Sequence, residues 1–327
     1  MIASPIASRR SFVLAGTLAA IAPAYAGGDP TAAPNRASAA VSIPVAGRHL
    51  SGREIRARTK PSKGLIVAIH GGGYTSKYFD TPGQSALELV ARLGYDVVAI
   101  DRPGYGSNAD WILGFDEQVA ILQDAVDWAV GRYGTPAGQV FLYGHSIGGM
   151  LSLLMANASP HRYSGVHMTG SGAVYHERAF EGLSARIADP ATGTHSMSPQ
   201  AARRAVFMAP VGGWDDAVAR LDPERDVPSV VAELRDALQW PQRLRTEAGR
   251  ARVPVQFVVP QYDGLWRADA DAMQGLDALF AGAPFSDVYV QRGAGHSVEL
   301  HRLYRAHVLR MAAFADECRL LGGHKRG

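Results

Sequence analysis

The segment Gly144-His145-Ser146-Ile147-Gly148-Gly149 decides the fold class of this 327-residue chain. It follows the apolar run 139–143, which predicts a buried strand, and precedes the helix-forming run 150–156. A G-x-S-x-G pentapeptide between a strand and a helix is typical of a nucleophile elbow, a turn that strains the serine backbone. Glycines on both sides let the strand and the helix approach without side-chain clashes. The segment therefore predicts that Ser146 is a nucleophile at a helix N-terminus.

A glycine-rich turn upstream can supply the donors that a serine nucleophile needs. His70-Gly71-Gly72-Gly73 follows a buried-strand run at 64–69. Its glycines carry no side chain that would cover the backbone N–H groups. We expect one donor from Gly72 or Gly73 and a second from Ile147 to form an oxyanion hole.

A carboxylate and an imidazole follow Ser146 along the chain, each in a loop after a late strand. Asp263 follows the run 253–260, and His296 follows the run 286–290. We expect His296 to accept the proton of Ser146 and Asp263 to fix the tautomer of the imidazole.

Other ionisable residues near these motifs are predicted to have structural roles. Asp269 and Asp271 are expected to be solvated on the helix after Asp263, and His301 and His307 are expected to lie on the surface. Hydrogen bonds within their own loops are predicted for His70 and His145, and Asp101 is predicted to tie its loop to neighbouring backbone amides.

Together these segments resemble the α/β-hydrolase superfamily, and the resemblance covers the chain from about Val41 onward. The matching segments are His70-Gly71-Gly72-Gly73, Asp101-Arg102-Pro103-Gly104-Tyr105-Gly106-Ser107, Gly144-His145-Ser146-Ile147-Gly148-Gly149, Tyr262-Asp263-Gly264 and Gly295-His296. The pattern of residues 101–107, D-x-x-G-x-G-S, resembles one that is typical of the capped, lipase- and esterase-like branch. The resemblance implies an α/β-hydrolase fold, with a mostly parallel sheet flanked by helices, and acyl transfer through Ser146, Asp263 and His296.

Strand-like runs, among them 54–58 and 163–169, alternate with helix-like runs and predict the same α/β architecture, with one interruption. Residues 172–252, which include a helix-like run at 229–245, are too many for a plain crossover and predict a helical cap between two core segments, 41–171 and 253–327. The apolar residues of the cap favour an enclosed pocket. Three aromatic residues are candidates for substrate binding, with packing as the alternative role for each: Tyr74, Trp214 and Trp240.

The N-terminus predicts export by the twin-arginine route. In residues 1–26, Arg9-Arg10 precede an apolar stretch at 13–22 and the cleavage site Ala24-Tyr25-Ala26. That stretch is shorter than the ~20 residues of a membrane-spanning helix. Residues 27–40, rich in Gly, Pro and Ala, predict a flexible leader. We expect a periplasmic or extracellular protein with no stable membrane anchor.

Composition limits the classes of partner. The formal net charge of the chain is +3. Arg9 and Arg10 are the only charged residues of 1–26, so the chain without this segment has a net charge of +1. This balance gives no electrostatic case for nucleic acid or an anionic membrane as a partner. Cys318 is the only cysteine, so an internal disulfide is excluded. No metal-ligand spacing, cofactor motif or basic cluster stands out. The sequence therefore predicts a small-molecule substrate, no cofactor and no metal, and leaves the oligomeric state open.

The motifs favour a serine hydrolase that cleaves an ester, lactone or thioester of a small, fairly hydrophobic substrate. A capped pocket suits a discrete molecule better than a polymer. His145 departs from the Gly-Trp pattern expected around the serine of proline-specific peptidases, which disfavours that activity. Two alternatives stay open: a carbon–carbon bond hydrolase, lyase or cyclase on the same triad, and a non-catalytic ligand-binding protein.

Overall fold

A computed structural model describes most of the chain after the predicted leader. The described residues are 37–136, 138–188, 193–196, 200–210, 212–221 and 227–322. The predicted export signal and most of the leader lie outside them. Within these residues, no helix is both long enough and apolar enough to cross a membrane.

An eight-stranded sheet forms the centre of the fold. Its strands are β1 (Ala39–Val45), β2 (Arg48–Ile55), β3 (Leu65–Ile69), β4 (Asp96–Ile100), β5 (Val140–His145), β6 (Tyr163–Thr169), β7 (Val255–Tyr262) and β8 (Ser286–Gly295). Their spatial order is β1-β2-β4-β3-β5-β6-β7-β8. Strand β2 is antiparallel to both neighbours, whereas β3 to β8 are all parallel. The predicted mostly parallel α/β sheet is confirmed.

Helices follow most of the parallel strands. In the part of the chain that the structure describes they are α1 (Ala86–Arg92), α2 (Phe115–Tyr133), α3 (Ile147–Ala158), α4 (Glu177–Ile187), α5 (Gln200–Phe207), α6 (Asp216–Leu221), α7 (Val231–Leu238), α8 (Trp240–Arg250), α9 (Ala270–Met273) and α10 (Tyr304–Gly322). Helices α4 to α8 all lie in the connection between β6 and β7, where the sequence predicts an insertion.

Two hydrophobic layers cover the two faces of the sheet. In β3, Leu65 and Val67 belong to the layer that contains residues of α2, α3 and α8. Their neighbours Ile66 and Ala68 belong to the layer that contains residues of α1 and α10. Successive side chains of a strand point to opposite faces, so a strand buried on both faces is apolar throughout.

The structure corrects the predicted N-terminal edge of the sheet. The sequence predicts a strand at 54–58 and a core that starts at 41, whereas β2 covers Arg48–Ile55 and pairs with β1 from Ala39 onward. The two strands are joined by Ala46-Gly47, both with positive φ (46° and 73°). A two-residue turn of this kind matches the twist of a β-hairpin, and Ala-Gly is not among its usual sequences.

The inserted region also differs from its prediction. A helix-like run expected at 229–245 is two helices, α7 and α8, with Pro241 in the first turn of α8, where proline needs no hydrogen-bond partner. Trp240 and Leu244 of α8 are buried in the same layer as α3. Helix α8 therefore packs with the body, although the predicted cap extends to residue 252.

Candidate active site

Ser146 lies in a strained turn between β5 and α3. Its φ of 52° and ψ of −122° are in a region that only glycine adopts without strain. A Cβ on Gly148 would overlap the carbonyl oxygen of Ile69, and a Cβ on Gly144 would overlap that of Gly148. The strained turn and its need for two glycines are confirmed.

Asp263 and His296 form a buried pair. The imidazole Nδ1 lies 2.8 Å from Oδ2 and 3.0 Å from Oδ1 of Asp263, and both side chains are almost fully enclosed. Oδ1 also accepts the backbone N–H groups of Leu265 and Trp266, at 2.8 and 3.1 Å. A carboxylate can only accept, so Nδ1 carries the proton and Nε2 is the acceptor.

The three residues meet at one end of the sheet. Ser146, Asp263 and His296 follow the C-terminal ends of β5, β7 and β8, and in parallel strands these ends share an edge. The Nε2–H of His145 donates to the carbonyl oxygen of His296 at 3.1 Å. This bond ties the residue before the serine to the imidazole loop. A serine–imidazole hydrogen bond is often long before substrate binds, and none forms between the described Ser146 and His296 side chains.

Gly72 and Ile147 lie beside Ser146 in the wall of the same cavity. A Cβ on Gly72 would lie 3.1 Å from Cδ1 of Ile147, so the Ile147 side chain packs against the Gly72 backbone. Ile147 is the first residue of α3, and its N–H has no partner inside the helix. Gly73 differs, because its N–H donates to the Tyr105 hydroxyl at 3.4 Å and it is not part of the cavity wall. Of the two predicted glycines, Gly72 has the better position.

A buried ion pair holds the glycine turn. The Arg102 Nε–H donates to the carbonyl oxygen of His70 at 2.9 Å, and its Nη1 bonds Glu233 of α7 at 2.5 Å. Burial alone would lower the pKa of Arg102, but the Glu233 carboxylate raises it. Burial and the Arg102 charge hold the pKa of His70 well below its usual range. The neutral His70 donates from Nδ1 to Gly71 and accepts the Arg102 N–H at Nε2.

The predicted roles of two aspartates agree with the structure. Asp101 accepts the Ser76 N–H at 2.5 Å and the Ser51 hydroxyl at 2.6 Å, so it ties the neighbouring loops together. Asp269 is about half exposed and caps α9.

The predicted surface positions of His301 and His307 are wrong. His301 is 7% exposed and His307 is fully buried. The pKa of His301 is lowered by burial and by the charge of Arg302. The sequence prediction rested on a helix-like pattern, which does not show that α10 lies against the body of the protein.

His307 belongs to a buried cluster around Glu299, which sequence reasoning missed. The Glu299 carboxylate accepts the hydroxyls of Tyr78 and Tyr143 at 2.5 and 2.8 Å, and Nε2 of His307 lies 3.6 Å away. Burial alone would raise the pKa of Glu299, but these donors and the nearby imidazoles lower it. Glu299 is three residues after His296, and no local pattern indicates that it is buried.

A cavity of about 220 Å³ opens onto Ser146. Its roof comes from α4, α5 and α7 and the segments beside them, and its floor from the ends of the strands. On one side the rings of Tyr175 and Trp266 are stacked at 3.7 Å. The described lining residues are Gly72, Ser146, Ile147, Met150, Tyr175, Arg178, Ala179, Gly182, Leu183, Arg186, His195, Arg203, Val206, Phe207, Val227, Ser229, Leu234, Ala237, Gly264, Leu265 and Trp266.

The predicted pocket aromatics lie elsewhere. Tyr74 is 1% exposed, its hydroxyl lies 3.2 Å from that of Ser297, and its ring packs beneath the site. Trp214 lines a separate small pocket, and Trp240 is fully buried beside α3. None of the three is part of the cavity wall, so packing is their observed role. Trp266 takes the position expected of them, and its place after Asp263 was the available signal.

In the part of the chain that the structure describes, no cluster of three or more His, Cys, Asp or Glu side chains could hold a metal ion.

The model of the alpha/beta hydrolase family matches residues 66–308. Protein ABHD14A of Danio rerio is 36% identical over 77 residues, which is 24% of this chain and 24% of that protein. The chain thus matches about a quarter of the length of this curated relative.

Solved structures resemble this chain over most of its length. A monoglyceride lipase variant from Saccharomyces cerevisiae aligns with a TM-score of 0.64 at 17% identity, over 88% of this chain and 99% of that one. A carboxyl esterase from Bacillus coagulans aligns with a TM-score of 0.60 at 16% identity, over 87% and 99%. At these identities the likeness concerns the fold alone.

Proposed function

The chain belongs to the alpha/beta hydrolase family, and we propose that it is a serine hydrolase. It cleaves an ester, lactone or thioester of a small, fairly hydrophobic substrate through an acyl-enzyme on Ser146. One observation carries the proposal: the strained Ser146 faces the cavity at the same sheet end as the buried Asp263–His296 pair.

The first half of the reaction forms the acyl-enzyme. Nε2 of His296 removes the Ser146 proton as the oxygen attacks the substrate carbonyl. Asp263 holds the imidazole by Nδ1 and stabilises the imidazolium. The N–H groups of Gly72 and Ile147 bind the oxyanion, and the imidazolium then protonates the leaving group. In the second half, water attacks the acyl-enzyme with His296 again as the base.

The cavity supports a discrete substrate. Its volume of about 220 Å³ is below the usual range of drug-sized pockets, which begins at ~300 Å³. The stacked Tyr175 and Trp266 rings give it an apolar side. Two of the similar structures are a monoglyceride lipase and a carboxyl esterase, and both names favour an ester over a carbon–carbon bond.

A serine-reactive fluorophosphonate tests this proposal. We expect one equivalent of label on Ser146, shown by intact mass and peptide mapping, and loss of 4-nitrophenyl acetate hydrolysis. Ser146→Ala should abolish the labelling. Ser229 lines the same cavity and is the matched control, because Ser229→Ala should still be labelled at Ser146.

Labelling at a different serine, or turnover that persists in Ser146→Ala, would contradict the assignment. A folded protein with neither labelling nor turnover would favour the ligand-binding alternative. Turnover of a ring-fission diketone, with no turnover of esters, would favour the carbon–carbon hydrolase.

We also propose export by the twin-arginine route, on the sequence of residues 1–26. Exchange of Arg9 and Arg10 for lysine should leave the precursor in the cytoplasm, because lysine lacks the planar guanidinium. The mature chain should begin at Gly27, as determined by N-terminal sequencing. A wild-type protein that keeps Met1, or export unaffected by both exchanges, would contradict this.

A further inference from the structure

The described part of the cavity wall is positively charged. The described lining residues include three arginines and His195, but no aspartate or glutamate. The two acids of α4, Glu177 and Glu181, are exposed and are not part of the wall.

Helix α4 directs one stripe of its surface into the cavity. Its lining residues recur at helical spacing: Arg178, Ala179, Gly182, Leu183 and Arg186. Arg178 and Arg186 are eight residues apart, which is about 12 Å along the axis. Between them, a Cβ on Gly182 would meet no atom within 4 Å, so open space separates the two cations.

Among the described residues, Arg186 has no counter-charge. It makes no hydrogen bond or ion pair with any of them, and its side chain is partly buried. Burial lowers the pKa of this guanidinium, and no described acid offsets the effect. Its charge in turn adds to burial in lowering the pKa of His195. The fully buried Arg102 differs, because Glu233 pairs with it.

An unpaired, partly buried cation is costly, and an anion that enters the cavity would remove this cost. A carboxylate matches one guanidinium in charge and accepts two parallel N–H bonds from it. The other buried arginine of the wall is already engaged, because Arg203 packs over the rings of Tyr74 and Phe207. The partner expected for Arg186 is thus a monoanionic group on the substrate.

We propose that the substrate is a small ester carrying a carboxylate, and that Arg186 binds this carboxylate while Ser146 attacks the ester. The inference rests on the proposed hydrolase function and narrows its substrate class to esters that carry a carboxylate.

Matched substrates that differ in one charge test it. Monomethyl adipate and dimethyl adipate place the carboxylate or its neutral ester on the acyl side. The acetate ester of 4-hydroxybutyrate and its methyl ester place it on the alcohol side. In at least one pair we expect kcat/KM for the anionic member to exceed that for the neutral member about tenfold, the factor for 1.4 kcal/mol.

Arg186→Gln should reduce this anionic-to-neutral ratio about tenfold, and Arg186→Lys should reduce it less, because lysine keeps the charge but not the planar fork. Arg245 is the matched control, since it is an exposed arginine of α8 outside the cavity wall. Arg245→Gln should leave the ratio at the wild-type value.

Binding of the product adipate to Ser146→Ala, measured by calorimetry against its neutral diamide, adipamide, separates this inference from the proposed function. Adipate should bind more tightly, and the preference should disappear when Arg186→Gln is added. Ser146-dependent hydrolysis without anionic preference in either pair would overturn the inference and leave the function standing. Arg186-dependent binding of adipate by a protein that hydrolyses no ester would contradict the proposed function and leave the anion site standing.

Discussion

The floor of the cavity, at the ends of β5, β7 and β8, and its roof, from α4, α5 and α7, hold charged side chains in different ways. On the floor, Asp263 accepts three N–H donors, and nearby Glu299 accepts two tyrosine hydroxyls. In the roof, Arg186 lines the cavity without a partner among the described residues. The hydrogen bonds of the floor are complete before substrate arrives, whereas no described acid pairs with Arg186.

This difference indicates that the floor and the roof have separate functions. Groups that stabilise a transition state work best when their orientation is set in advance, and the floor meets that condition. A roof with a cationic side chain and open space distinguishes ligands by their charge and size. Changes in the floor should therefore affect chemistry or stability, and changes in the roof should affect the choice of substrate.

The largest effect is expected at Asp263. Asp263→Asn should reduce kcat about 10⁴-fold with little change in fold, because asparagine favours the wrong tautomer of His296. Asp269→Asn is the control, because Asp269 is the half-exposed N-cap of α9, and its kcat should stay within a few-fold of wild type. Steady-state kinetics and circular dichroism measure both. An active Asp263→Asn would mean that another acid orients the imidazole.

An intermediate effect is expected at Glu299. The amide of Glu299→Gln has one acceptor oxygen and cannot accept all the hydrogen bonds that the carboxylate accepts. The free energy of unfolding should therefore fall by about 1–3 kcal/mol in urea titrations. Glu54 is the matched control, because its carboxylate also accepts a tyrosine hydroxyl, that of Tyr133, but near the surface. Glu54→Gln should cost less than ~1 kcal/mol.

The pH dependence sharpens this test. Folding lowers the pKa of Glu299 below its ordinary 4.5, so its stabilising effect is complete above that pH and is lost as the pH falls below it. The difference in the free energy of unfolding between wild type and Glu299→Gln should therefore become smaller as the pH falls below 4.5. Burial also lowers the pKa of His145 to about 4, so stability should decline from pH 6.5 towards 4 in both proteins. A difference that is independent of pH would show that Glu299 is not ionised.

The smallest effect on stability, with a clear effect on specificity, is expected at Gly182 in the roof. Gly182→Leu should fill open space in the cavity and lower kcat/KM for 4-nitrophenyl hexanoate about tenfold relative to the acetate. Stability should rise by up to ~1 kcal/mol, because glycine is unfavourable inside a helix. Gly249 of α8 also has open space around it but lies outside the cavity, so Gly249→Leu should leave the substrate ranking unchanged.

Much of the fold and of the candidate triad could be predicted because local sequence encodes local geometry. Strand β6 matches its predicted range of 163–169, and the elbow is recognisable from two glycines that no other residue can replace. Asp263 and His296 could be proposed because chain order places each after a parallel strand, and parallel strands end at one edge. The hairpin turn Ala46-Gly47 could not be predicted, because Ala-Gly is not a usual sequence for this type of turn.

The sequence by itself indicated the strained serine and the candidate catalytic residues, because each follows a recognisable strand within a few residues. Only the tertiary structure decided that Trp240 packs against the body, that His307 and Glu299 are buried together, and that Arg186 and Ser146 line one cavity. These features depend on which face of each helix meets the sheet. That choice is made by packing between segments far apart in the chain, and a periodic pattern of apolar residues does not specify the partner.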